Sequence, residues 1–412
     1  METTPPPTQT TFFIAKLIEH ILRTHVSYDK AFKTIVSRYG VSKWLLSTYY
    51  KIGYYATLYY YTLRWLAGVR GYGVTPAAIA LFFRDIGFSV RRLQDIVERE
   101  SKKLGLVKKI SIKYSYPEYL VRDLLKYMEP RDLEKMLSSL NERRVWLRVN
   151  MLKTSVSDAL SCLRSEGLDF VVDDKLRYMV RITKPKWIRV SGIKCVKEGL
   201  LIPQDIASAW VVEAIKRISE NKEVLDACSA PGIKLGLLNM LAGFNRAIAV
   251  DVSWKRVNVL KKLSSIQGLA LYKLLVINGD SSILKYGQLF NRALVDAPCS
   301  GSGAIPSDPA IKISIWKKSK LDYYTSLQKR ILMNTLKASK YVVYSVCSIH
   351  PLEGEGVVED IVAQGLAEPI DIGLDLPRGY SGFSVSKKTY RTIPHLMASQ
   401  GFYIAVLGRV KK

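Results

Sequence analysis

Cysteine and histidine are scarce in this chain, and acid is far scarcer than base. Its 412 residues include five cysteines (Cys162, Cys195, Cys228, Cys299, Cys347) and four histidines (His20, His25, His350, His395). The cysteines form no CxxC pair, and an odd number argues against a disulfide framework, so the thiols are expected to be reduced. No His/Cys spacing suggests zinc, and no metal is expected. Acidic residues number 36 against 62 basic ones, a formal net charge of +26. Solubility needs far less, so the excess points to a polyanionic partner. A long hydrophobic run is missing too. The uncharged aromatic stretch from Ile52 to Leu63 lies between Lys51 and Arg64 and is too short to span a bilayer. Met1 to Thr11 carries three consecutive prolines and no apolar signal-peptide core. These absences exclude a membrane partner and lead to the expectation of a cytoplasmic protein, taken as a monomer.

What is present is enough apolar sequence, 48% of residues, to bury several cores, and a length that suits two or three domains. After a tail expected to be disordered to residue 11, apolar residues recur at helical spacing over 12–110. Ile14, Leu17, Ile18, Ile21 and Leu22 form one face, and Leu93, Ile96 and Val97 another. The Tyr-rich stretch from Lys43 to Leu66 could offer stacking platforms for bases, but core packing is the plainer use of most of these rings. A small α/β module is expected over 111–199, with helical patterns at Pro117–Met128, Pro130–Leu140 and Ser155–Glu166. Val145–Asn150 reads as a strand with alternating faces. From residue 200 onward helix and strand alternate, which gives a mostly parallel sheet covered on both faces, a Rossmann-like α/β domain over 200–412.

Phosphate-gripping loops are also absent: there is neither GxGxxG nor a P-loop. Instead, the strand Glu223–Ala227 leads into Cys228-Ser229-Ala230-Pro231-Gly232-Ile233-Lys234, small residues that allow a tight strand-to-helix turn close to a ligand. The next strand ends at Asp251, 19 residues past Gly232, the spacing of a ribose-binding acid. A third, Leu274–Ile277, is followed by Asp280, placed to receive an adenine amino group. Each acid could equally cap a turn. Together they favour a nucleoside cofactor without phosphates, of which S-adenosyl-L-methionine is the common one. Arg256 lies either beside that cofactor or on a solvated helix face.

Two further strands, Arg292–Val295 and Tyr341–Tyr344, are each followed by a cysteine in polar sequence. The first is in Asp296-Ala-Pro-Cys299-Ser-Gly-Ser-Gly303, and the second, 48 residues after Cys299, is in Ser345-Val-Cys347-Ser348. The carboxyl ends of strands are where open α/β sheets place reactive groups. Two thiols and an acid there suit a nucleophile and a helper attacking a poor electrophile such as a pyrimidine ring.

These blocks resemble the Sun/Nop (Fmu-like) family of RNA cytosine-5 methyltransferases. Asp226–Gly232 with Lys234 is similar to the family's first motif, Asp296–Gly301 to its fourth, and Tyr344–Ile349 with Glu353 and Glu355 to its sixth. Gln204-Asp205, Pro394-His395 and Gly401-Phe402 fall in further family blocks. More loosely, the helical N-terminus resembles the NusB-like RNA-binding domain of rRNA-directed members, and the middle module an RRM-like one. The resemblance implies a class I methyltransferase domain that uses S-adenosylmethionine. Cys347 would be the nucleophile toward C6 of cytosine, Cys299 would act in product release, Asp296 would hold the N3/N4 edge, and Lys234 would orient the cofactor or the base. RNA is the implied partner, rRNA ahead of tRNA. Ile233, Leu235 and Val346 depart from the family's Gly, Thr and Thr at those places. Cys228 reads as a backbone-contact position, Cys162 and Cys195 as structural.

Two other readings compete. A DNA cytosine-5 methyltransferase would promote Cys299 to nucleophile, but its Pro-Cys-Gln and Glu-Asn-Val signatures are missing. A non-catalytic RNA-binding assembly factor draws support from Ile233 and Leu235, against the joint presence of Cys347, Cys299, Asp296 and Lys234.

Overall fold

The computed structural model describes residues 6–218, 222–287 and 289–410. The chain folds as two compact units. One comprises residues 1–142 and 300–320, the other 143–299 and 321–412.

The first unit is helical. Helix Pro7–Thr24 buries Ile14, Leu17, Ile18 and Ile21, the face that the spacing marked. It also corrects the expected tail, because ordered helix begins at Pro7, with proline where the missing N–H costs nothing; residues 1–5 lie outside the described residues. Tyr28, Tyr49, Tyr54, Tyr59 and Tyr60 are buried, so this aromatic density serves packing. Helices Glu118–Leu124 and Pro130–Leu140, expected in the middle module, belong to this unit.

A second correction concerns residues 300–320, expected within the catalytic domain. They bury Ile305, Ala310, Ile313 and Ile315 in the helical unit. Asp308 accepts the Tyr28 backbone N–H at 2.9 Å, and the Tyr54 hydroxyl donates to the Pro306 carbonyl at 3.0 Å. Tyr61 and Trp316 stack with ring centroids 3.3 Å apart. Lys312, fully buried, donates to the carbonyls of Tyr114 at 2.5 Å and Ser115 at 3.1 Å, which close helix Leu106–Tyr114. Sequence reading missed the excursion because its residues look like an ordinary post-strand loop followed by helix.

The second unit opens with an antiparallel sheet in the order β2-β3-β1-β4: β1 Val145–Val149, β2 Asp169–Val172, β3 Met179–Lys184 and β4 Leu201–Pro203. Helices Val156–Ser165 and Lys194–Lys197 bring Cys162 and Cys195 together in a disulfide, with Cα atoms 6.3 Å apart. This corrects the expectation of reduced thiols: an odd count leaves room for one bridge. Glu166 lies within 4.8 Å of both sulfurs, but the bridge uses the two thiols that a metal would need.

The main sheet is built from β5 Glu223–Asp226, β6 Arg246–Asp251, β7 Leu274–Asn278, β8 Phe290–Asp296, β9 Ser339–Val346, β10 Ala367–Pro369, β11 Tyr390–Arg391 and β12 Tyr403–Arg409. Its order is β10-β12-β9-β8-β5-β6-β7, with β11 beside β12. β5 to β9 pair in parallel, and β12 returns antiparallel to β9. Successive side chains of a strand point to opposite faces, so a strand covered on both sides is apolar throughout. Ala293, Val295, Val342 and Tyr344 accordingly join one core, and Leu294 and Val343 the other. Among the described residues no helix is long and apolar enough to cross a membrane.

The disulfide closes a segment 33 residues long. Replacing both cysteines with alanine, or reducing the bridge, is expected to lower unfolding stability by about 3–4 kcal/mol. Urea titrations with and without reductant check this; superimposable curves would refute it.

Candidate active site at the carboxyl edge of the parallel sheet

Because β5 to β9 run in parallel, their carboxyl ends lie along one edge. The chain leaves β5 toward β6 on one side, while β8 lies on the other, which makes the β5/β8 boundary the switch point where such sheets bind ligands. Asp226, Asp251, Asp296 and Cys347 stand at or just past these strand ends.

After β5 the chain turns through Cys228 to Gly232 into helix Ile233–Ala242. Gly232 adopts φ +90°, a conformation that L side chains rarely take, and a Cβ there would lie 3.1 Å from Leu260. The strain of the turn therefore falls on Gly232, and Ile233 begins the helix in ordinary helical backbone. Leu235 is buried in the core, which explains an apolar residue where the family has a hydroxyl.

Asp251 is buried. Its Oδ2 accepts the Ala230 N–H at 3.2 Å and meets Arg256 at 3.2 Å; its Oδ1 accepts the Ser253 N–H at 2.9 Å. The Arg256 guanidinium also donates to the Ala230 carbonyl, so this arginine sits on the turn and not on a free helix face. An ionised carboxylate has roughly four lone-pair directions, and three are engaged here. Asp280, exposed, accepts the Ser282 N–H at 2.9 Å. Both acids thus cap turns. A positive-φ glycine at a helix N-terminus with two acids at the following strand ends still fits a nucleoside cofactor, and Ser229, Ala230, Pro231 and Gly232 would form its cradle.

On the other side of the boundary, the Lys234 ammonium lies 2.5 Å from Asp296 Oδ2, and the Ser345 hydroxyl donates to Asp296 Oδ1 at 2.8 Å. Lys234 also sits 5.3 Å from the centre of the Phe402 ring. Sequence reading aimed Lys234 at the cofactor or the base; the structure pairs it with Asp296. Ser345 and Phe402 lie within the sequence motifs, but their roles emerge only from the fold: the β8–β9 register sets Ser345 opposite Asp296, and the Phe402 ring lies against Lys234. The Cys299 and Cys347 sulfurs are 3.1 Å apart.

Burial shapes the titration here. It pushes the Cys228 thiol well above its ordinary range, with Asp226, Asp296 and Asp251 adding to the effect, so this cysteine stays protonated. Burial raises Asp226 to about 7, with the Asp296 charge contributing, and raises Asp205 to about 6 against the N–H groups of Gln400 and Ala207. Behind Cys347, Glu355 and Arg391 form a fully buried pair (2.8 and 2.5 Å), and Arg391 donates to the Ser348 carbonyl at 3.1 Å.

A carboxyl whose native pKa lies above its unfolded value gives stability that is present below the unfolded pKa and is lost as pH rises toward the native one. Stability is therefore expected to fall between pH 4 and pH 7. Asp226→Asn should remove at least ~1.4 kcal/mol of that fall, one unit's worth. Denaturant titrations at pH 5 and pH 8 check this; an unchanged slope in the variant would contradict the assignment.

Residues 214–408 match the family model of the 16S rRNA methyltransferase RsmB/F, and residues 116–189 that of the Methyltr_RsmF/B-like, ferredoxin-like domain. A probable ribosomal RNA small subunit methyltransferase B of Coxiella burnetii is 28% identical over 76% of this chain and 72% of its own length. The human 28S rRNA (cytosine(4447)-C(5))-methyltransferase is 28% identical over 76% of this chain, but the match spans only 42% of that protein. The crystal structure of PH0851 superimposes over 98% of this chain and 99% of its own with a TM-score of 0.79 at 19% identity, a likeness of fold. With both family models in their expected order and the motif residues gathered on one sheet edge, the chain belongs to the RsmB/F methyltransferases of the Sun/Nop family.

Proposed function

We propose that the protein transfers a methyl group to C5 of a cytosine in ribosomal RNA, through a covalent bond between Cys347 and C6 of the ring. The observation that carries the reading is the thiol pair, 3.1 Å apart, beside the Lys234–Asp296 pair at the switch point. When bound, S-adenosylmethionine supplies an electrophilic methyl group.

Cytosine C5 is too weak a nucleophile to be methylated unaided. Addition of the Cys347 thiolate at C6 forms an S–C bond and moves a ring electron pair toward C5, where the methyl is accepted. Asp296 faces the N3/N4 edge, and the Lys234 ammonium beside it supplies a shareable proton for N3. A base then takes the C5 proton, the C5–H electron pair re-forms the C5–C6 double bond, and the C6–S pair leaves with Cys347 as thiolate; Cys299 takes or relays that proton. Cys228, whose thiol is held well above its ordinary range, takes no part as a nucleophile. Asp251, Arg256 and Asp280 would hold the cofactor with the Cys228–Lys234 turn.

The target base lies within the stack of a duplex, so the substrate presents an unpaired or flipped cytosine in structured RNA. The +26 charge supports binding through backbone phosphates. Ribosomal RNA is favoured by the named relatives, and a cytoplasmic location accords with the absence of a membrane-crossing helix among the described residues. Transfer RNA is the alternative substrate.

The test uses methyl-labelled S-adenosylmethionine with ribosomal and transfer RNA. Wild type should yield 5-methylcytosine in rRNA. Cys347→Ala should lose at least about a thousandfold in rate, while Cys299→Ala should accumulate a protein–RNA adduct that survives denaturation. An adduct in Cys347→Ala but not in Cys299→Ala would reverse the two roles, and label confined to tRNA would replace the substrate.

A further inference from the structure

We infer that Gln328 is a positioning residue that sets the separation of the two active-site thiols by tying their loops together; the inference rests on the proposed roles of Cys299 and Cys347. Gln328 is fully buried in the middle of helix Ser319–Lys337 and lies outside every motif noted in the sequence. Its side-chain Nε2 carries two hydrogens. One goes to the carbonyl of Pro298, the residue before Cys299, at 2.9 Å. The other goes to Glu353 Oε1 at 3.1 Å. The second Glu353 oxygen accepts the hydroxyl of Ser348, the residue after Cys347, at 2.6 Å. One amide nitrogen thus joins both loops by a chain of three hydrogen bonds.

The rest of the surroundings fix this clamp. Glu353 is fully buried, and its own carbonyl accepts the Tyr344 hydroxyl at 2.7 Å. The Ser348 hydroxyl also accepts the His350 N–H at 3.1 Å. Strand pairing ends before either cysteine: the last β8–β9 register pair is Asp296 with Ser345, followed by the Ala297 N–H on the Ser345 carbonyl at 2.9 Å. Beyond that point the backbone ladder no longer holds the loops; the Arg391 bond to the Ser348 carbonyl anchors one of them, and the Gln328–Glu353 link ties the two together. A buried carboxylate also needs donors, and Gln328 and Ser348 provide them.

Gln328→Glu keeps the shape but removes both donated hydrogens and places an acid against Glu353; Gln328→Ala removes the link outright. The thiol separation can be read without any methyl transfer, as the rate at which oxidised glutathione converts the Cys299–Cys347 pair to a disulfide, followed by mass spectrometry on the full chain. Both variants are expected to slow that oxidation about tenfold. In the methylation assay they should lower kcat with KM for RNA and cofactor unchanged, and leave more protein–RNA adduct. Ser348→Ala, which cuts the other arm of the clamp, should act in the same direction and keeps the test open if a Gln328 variant does not fold. Oxidation at the wild-type rate in a folded variant would overturn the inference. Absence of methyl transfer by wild type would instead overturn the proposed function, and the oxidation rates would still decide the role of Gln328.

Discussion

The parallel pairing of β8 with β9 is the constraint on which the site depends. Their register places Asp296 opposite Ser345 and sends both chains out of the sheet on the same edge. Two cysteines 48 residues apart in sequence are thereby forced into adjacent loops. An antiparallel pair would have put them at opposite ends. The same geometry sets Lys234, on the helix after β5, against Asp296, because β5 is the other neighbour of β8.

Around that edge the protein tolerates unfavourable burial. Asp205 and Asp226 lie in surroundings that resist ionisation, while the Glu355–Arg391 pair is stripped of water. Losing one partner of such a pair leaves an uncompensated charge, which typically costs about 3–5 kcal/mol. Arg391 also lies 3.9 Å from the centre of the Tyr380 ring and 5.2 Å from that of Tyr403, so its cation is enclosed by aromatic faces as well as by carboxylate. The rigidity behind Cys347 comes from this polar interior.

Most of the main sheet was legible because its strands are covered on both faces and read as short apolar runs ending in Asp or Cys. The turn at Gly232 was legible for the same reason that only glycine suits φ +90°. β12 escaped although Tyr403–Leu407 is an apolar run of strand length; the rest of what escaped depends on long-range partners. β10 and β11 are two or three residues long, and no local pattern marks them. The Cys162–Cys195 bridge was missed because counting thiols says nothing about which helices meet. Gln328 looks like any polar residue on an amphipathic helix until its two acceptors are seen. The excursion of residues 300–320 shows the limit most clearly, since Lys312 reads as a surface base and is wholly buried.

That excursion also orders events during synthesis. A ribosome releases the chain from its N-terminus, and a domain whose contacts are local can fold as soon as it emerges. Here Tyr28 waits for Asp308, 280 residues downstream, and the end of helix Leu106–Tyr114 waits for Lys312, about 200 residues later. Until residue 320 is out, the nascent helical bundle carries an unfilled apolar surface, and the chain has by then already delivered β5 to β8. The first part of the protein to be made is therefore among the last to be completed.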